Sequence, residues 1–186
     1  MRAAHVAILA LLLSVPLGPI EARASSIRDV DPRPFESALG DSGLPHFFEI
    51  EPGLARGGQP TEQGLRLLRE RGYRTVVSFR RNSNERRALE EMGIRYVEIP
   101  IRAGLVGSTA PTMEEVARFL SIVSDSSQRP VFIHCRRGKD RTGAMAAIYR
   151  IQACGWTKDK AIREMLTLGF NRYYGNLMQF VRTYAP

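Results

Sequence analysis

From Pro130 the chain runs Val131-Phe132-Ile133 without a polar break, passes through His134-Cys135-Arg136-Arg137-Gly138-Lys139-Asp140-Arg141-Thr142-Gly143, and continues as a helical stretch from about Thr142 to Ala153. A short strand lacking polar alternation is buried on both faces, which places it in the middle of a sheet. A helix that follows such a strand directly belongs to an α/β arrangement. This segment therefore sets the architecture around which the rest of the chain must be arranged.

The remaining segments agree with it. Phe47 to Ile50 forms a short strand candidate, and Pro52 to Pro60 reads as a turn-rich loop. Thr61 caps a helix with Leu65, Leu67 and Leu68 on its apolar side and Gly72 as its stop. Thr75 to Phe79 is a β-branched strand, Asn84 caps a short charged helix ending at Gly93, and Tyr96 to Ile101 is a further strand. Thr112-Met113-Glu114-Glu115 is a capping box. Behind it Met113, Val116, Phe119, Leu120 and Val123 recur at helical spacing and form a core face. Thr157 opens another helix, and a last one spans Asn171 to Tyr184 with Leu177, Met178, Phe180 and Val181 buried. Strands and helices alternate at first, and helices then cluster in the C-terminal half. The expected fold is α/β, with a central, largely parallel sheet flanked by helices.

Residues 1–24 have the features of a signal peptide: Arg2, an apolar run from Val6 to Val15, helix breakers at Pro16, Gly18 and Pro19, and Ala22-Arg23-Ala24 before a cut after Ala24. Residues 25–45 read as an irregular arm, and 46–186 as the folded domain. The expectation is an exported protein, periplasmic or secreted, with no stable membrane insertion after cleavage. The whole chain carries a formal charge of +8. Loss of Arg2, Arg23 and Glu21 removes a net +1 and leaves about +7, which favours anionic partners. No tight Lys/Arg run with interleaved aromatics is present, so no nucleic acid is expected. Of the two cysteines, Cys135 follows a strand and Cys154 lies at the far end of the next helix. Ten or more helical residues separate them by more than about 15 Å, whereas a disulfide needs Cα atoms within about 7 Å. Both are expected to be free thiols.

A free thiol between a buried strand and a helix has a chemical use. Ligands bind at the carboxyl ends of strands in such sheets, and N–H groups at a helix N-terminus attract anions. The same helix end and nearby cations draw a thiol toward its nucleophilic thiolate. Arg141 offers a planar fork matched to two phosphate oxygens. Gly138 permits a positive φ in the loop. Thr142 is placed to offer a hydroxyl to the sulfur, and His134 to hydrogen-bond the loop backbone. Arg136, Arg137 and Lys139 make the loop strongly cationic, which suits a substrate bearing more than one phosphate.

The pattern Cys135-x5-Arg141-Thr142, preceded by His134 and containing Gly138, resembles the signature of the protein tyrosine and dual-specificity phosphatase superfamily. Gly53 to Pro60, with Arg56, Gln59 and Pro60, resembles the opening loop of its compact dual-specificity-like members. Gly155-Trp156 and the helix with Glu164 and Met165 resemble their C-terminal half. The likeness covers roughly residues 46–184. It implies phosphomonoester hydrolysis without cofactor or metal, through attack of Cys135 on phosphorus and hydrolysis of a cysteinyl-phosphate. The substrates implied are phosphorylated proteins or a polyphosphorylated small molecule such as an inositol phosphate. The general acid departs from the common pattern, because Ile99 to Gln128 holds Asp125 as its sole Asp, at a helix end. Asp140, inside the loop, is the first candidate, with Glu98 and Glu114 as alternatives. A structural salt bridge is the competing role for Asp140.

Other readings of the segment are weaker. A nucleotide-binding P-loop fails because Ile133 stands five before Gly138 and Asp140 follows Lys139. Two cysteines and three histidines without paired spacing do not make a closed zinc site. A rhodanese-like sulfurtransferase needs no Arg-Thr at this spacing. A phosphate-binding module that has lost turnover fits the missing loop acid but leaves the thiol without a reason.

Overall fold

A computed structural model of the protein describes residues 42–81, 84–102 and 109–186. The signal-peptide reading and all but the last four residues of the arm lie outside these. Five strands form one sheet: β1 (Phe48–Glu51), β2 (Leu54–Gly57), β3 (Thr75–Ser78), β4 (Arg95–Glu98) and β5 (Val131–His134). Their order is β1-β2-β5-β3-β4. Only the β1–β2 pair is antiparallel; β5 runs parallel to both β2 and β3, and β4 parallel to β3. The apolar run after Pro130 is thus the central strand, as its lack of alternation requires.

The helices are α1 (Glu62–Glu70), α2 (Arg86–Glu91), α3 (Met113–Ser124), α4 (Asp140–Gln152), α5 (Lys158–Thr167) and α6 (Gly175–Thr183). Side chains alternate across each strand, so the sheet has two separate cores. Phe132, Val76 and Tyr96 pack with Leu65 and Leu68 of α1 and Leu89 of α2. Ile133, Cys135, Val77 and Val97 pack on the other face with α3, α4, α5 and α6. Helix α4 is buried on nearly every side, so it carries Gly143, Ala144, Ala146 and Ala147 and little amphipathic pattern.

Several expectations hold in detail. Thr61, Thr112 and Thr157 are side-chain N-caps, and Thr112 with Glu115 closes the capping box. Cys135 and Cys154 are both free. Others are corrected. The Pro52 to Pro60 loop contains β2, whose four residues are all buried; all four pair with β5, and Leu54, Ala55 and Arg56 also pair with β1. Glu85, not Asn84, is the N-cap of α2, and it makes no side-chain cap because its carboxylate turns inward. Met113 is 58% exposed and Leu120 only partly buried; Val116, Phe119, Ile122 and Val123 form the inward face of α3. The last helix begins at Gly175, not Asn171, and Phe180 is only partly buried. Residues 42–45, read as the end of the arm, belong to the domain: Leu44 is buried, Gly58 N–H donates to Pro45 O (2.7 Å), and Thr61 N–H to Gly43 O (2.9 Å).

Candidate active site

Cys135 leaves the carboxyl end of β5 and is 2% exposed. The loop from Arg136 to Lys139 then turns into α4. Gly138 takes φ 73°, and a Cβ there would lie 2.3 Å from Gly57 C and 2.5 Å from Gly58 N. No other residue fits such an approach. Gly57 is constrained likewise, since its Cβ would meet Phe132 Cζ at 2.8 Å. The end of β2 therefore forms the back support of the loop.

The loop carbonyls are held against that support. Gln59 N–H donates to Arg136 O (3.2 Å). Arg56 Nη2 donates to Gly138 O (2.7 Å) and Lys139 O (3.4 Å). In a trans peptide the next N–H points opposite the carbonyl. The amides of Arg137 and Lys139 are therefore turned away from these partners. Arg56 is 2% exposed, and burial pushes its guanidinium down to about 10 against the opposing pull of Glu164 and Cys135. The sequence associates Arg56 with an opening loop; its position under the loop that follows Cys135 rests on the β2–β5 pairing.

In front of the loop, Cys135, Arg136, Arg137, Asp140, Arg141 and Tyr174 line a pocket of about 150 Å³. Arg141 Nη1 is anchored to Phe79 O (3.0 Å) and Ile101 O (3.4 Å), at the ends of β3 and β4. Its Nε and Nη2 make no hydrogen bond among the described residues. Arg136 and Arg137 are exposed. Asp140, 8% exposed, opens α4 and accepts a hydrogen bond from Asn171 N–H (2.8 Å) through Oδ1. Its structural partner is thus a backbone amide, not the neighbouring Arg that the alternative role supposed. Neither Glu98 nor Glu114 lines this pocket. Thr142 Oγ1, in the first turn of α4, is buried and has no hydrogen-bond partner among the described residues. Tyr174 was not among the expected site residues, because Asn171 to Tyr174 read as helix; the segment is instead the turn that meets Asp140.

Of the expected site residues, Gly138, Thr142, Lys139 and His134 do not line this pocket. Lys139 does not line the front pocket; it borders a separate cavity behind the loop. His134 is wholly buried on the sheet face opposite Cys135, because neighbouring strand residues alternate. Its ring stacks on Phe132, with centroids 5.9 Å apart. Its Nε2 lies 3.0 Å from Glu85 Oε1, although off the line of a good ring N–H hydrogen bond. The expected bond from His134 to the loop backbone is not formed. Glu85 also accepts from Gln59 Nε2, and Gln59 Oε1 accepts from Arg80, so a polar chain runs from β5 to the surface. Among the described residues no three His, Cys, Asp or Glu side chains converge as metal ligands would. No helix among them is long and apolar enough to cross a membrane.

Residues 48–176 match the family described as DSP-PTPase phosphatase fused to NAD+ kinase. The chain belongs to that family. Its dual-specificity-type phosphatase fold is shared with TpbA, a dual specificity protein phosphatase of Pseudomonas aeruginosa. The two are 33% identical over 125 residues, 67% of this chain and 55% of TpbA. The TpbA crystal structure superposes with a TM-score of 0.63 at 29% identity, covering 75% of this chain and 84% of TpbA's. TpbA has also been solved in complex with phosphotyrosine. An inositol diphosphatase of Oryza sativa subsp. japonica is 28% identical over 108 residues, 56% of this chain and 53% of that protein. The chain thus spans about half the length of these curated relatives.

Proposed function

We propose that this phosphatase-family domain hydrolyses phosphomonoesters through a cysteinyl-phosphate, with Cys135 as nucleophile and Arg141 as the clamp on the transferred phosphoryl group. The observation that carries this reading is the anchoring of Arg141, through Nη1, at the pocket that Cys135 lines, with the other edge of its fork unspent among the described residues. The Cys135 thiolate attacks phosphorus while the ester oxygen departs with a proton. Water then attacks phosphorus, the P–S bond breaks, and inorganic phosphate leaves. The amides of Arg137 and Lys139, turned away from β2, and the N-terminus of α4 receive the equatorial oxygens. Thr142 Oγ1, which lacks another partner, donates to the sulfur as it leaves. Asp140 is the proton donor, since it is the acid that lines the pocket. The sequence needs no metal for either step.

Arg136 and Arg137, exposed at the pocket, support a substrate with further phosphates, and the inositol diphosphatase relative is consistent with that class. The TpbA relationship supports phosphotyrosine protein as the second class. Export to the periplasm or medium, with cleavage after Ala24, is part of the same proposal and is checked by N-terminal sequencing of the expressed protein. The activity is tested by phosphate release from phosphotyrosine peptide, phosphoserine peptide and inositol polyphosphates with a chelator present. Release that survives chelation and disappears in Cys135→Ser is expected. Release that persists in the variant overturns the mechanism.

A further inference from the structure

Behind the nucleophile loop, away from the pocket that Cys135 lines, lies a second cavity of about 150 Å³. Arg56, Lys139, Phe47, Phe48 and Leu168 are among its walls. Arg56 is a buried cation without an ion pair among the described residues, and its Nη1 has no hydrogen-bond partner. Glu164, the carboxylate that acts on it most strongly, is already committed to Arg150 at 2.9 and 3.1 Å. Lys139 reaches toward the same space: a Cβ on Gly169, another wall residue, would lie 3.3 Å from Lys139 Cε and 3.5 Å from Nζ. Lys139 likewise has no ion pair among the described residues. A buried charge is ordinarily paired, and here the buried Arg56 and the half-buried Lys139 border one small cavity to which no Asp or Glu among the described residues contributes a wall.

We propose that this cavity binds a small carboxylate with a compact apolar body, Arg56 and Lys139 neutralising the carboxylate while Phe47, Phe48 and Leu168 cover the rest. The size admits only a small ligand, well below the usual drug-sized pocket. The three apolar walls favour a singly charged carboxylate over a phosphate, whose dianion costs more to desolvate. Gly138 and Lys139 belong both to this cavity and to the loop carrying Cys135, so occupancy is transmitted to the thiol. An anion beside Arg56 competes for the guanidinium that holds Gly138 O and Lys139 O, and so loosens the loop that carries Cys135. The ligand therefore acts as a brake on thiolate reactivity from outside the front pocket.

The probe is benzoate, titrated into the full chain by proton–nitrogen NMR with inorganic phosphate saturating the front pocket. Saturable shifts at the Gly138, Leu168 and Gly169 amides are expected, together with slower alkylation of Cys135 by iodoacetamide. Lys139→Met should weaken binding about tenfold, and Leu168→Trp, which fills the cavity, should abolish it. Shifts confined to the residues lining the front pocket, or binding unchanged by Lys139→Met, would overturn the proposal. Neither readout requires turnover, so it stands or falls apart from the phosphatase mechanism.

Discussion

His134 and Cys135 are adjacent in the chain, yet they serve two different regions. Cys135 opens on the α3–α6 side of the sheet, beside Arg136, Arg137, Asp140 and Arg141. His134 faces the α1–α2 side, at the inner end of a polar chain with Glu85, Gln59 and Arg80. One side presents charges to a ligand; the other spends its charges on each other. Proximity to a nucleophile in sequence is therefore poor evidence of a chemical role when both residues lie on a strand and its exit. In the proposed mechanism the front side acts on phosphorus, while the back side is buried beneath the strand end.

This division can be broken most sharply at the front. Cys135→Ser should remove turnover altogether while phosphate still binds, measured by phosphate release and by isothermal titration. Arg141→Lys comes next: an ammonium cannot present the fork, and a loss of about 10²–10³-fold in kcat/KM is expected. Asp140→Asn should slow phenyl phosphate by about 10²-fold or more and p-nitrophenyl phosphate much less. Equal slowing of the two would remove Asp140 from proton donation. On the back side, Glu85→Gln should cost about 1–3 kcal/mol of stability by weakening a buried partner, seen as a lower Tm. It should change the rate of Cys135 alkylation by less than about twofold, in contrast with the positioning effects that reach further. A tenfold change would merge the two regions into one functional unit. The smallest effect is expected at Asp125, which lies far from both. Hydrogen bonds from Gln128 and Ser127 hold its carboxyl below the ordinary value. Its contribution is therefore present above the unfolded-state pKa and is lost as pH falls through the lower, folded value. Asp125→Asn should flatten the acid limb of a stability–pH curve slightly and leave activity alone.

The parts legible in sequence were those specified locally. An unbroken apolar run identified β5 as central, and threonine caps placed α1, α3 and α5. Cys135 and Arg141 came together because both lie on one strand–loop–helix unit. What escaped was set by distant partners. Leu54-Ala55-Arg56-Gly57 contains an arginine and a glycine and has no strand pattern of its own; pairing with β1 and β5 makes it a strand. Arg56 reads only as part of an opening loop until the carbonyls of Gly138 and Lys139 are placed beside it. Lys139 looked like part of the anion pocket, but the turn of the backbone before α4 directs it to the other cavity. Tyr174 required the break between α5 and α6, which the helix-like composition of Asn171 to Tyr184 concealed.

The central place of β5 also sets an order of events in the life of the molecule. Its two neighbours are drawn from residues 54–57 and 75–78, more than fifty positions earlier in the chain. Such distant pairings close late, because the intervening loops lose entropy before the contacts repay it. Until both have formed, the loop after Cys135 has neither the Gly57–Gly58 wall nor the Arg56 guanidinium to shape it. The nascent or partly unfolded chain thus carries Cys135 on an unshaped loop, and the proposed chemistry waits until the sheet is complete.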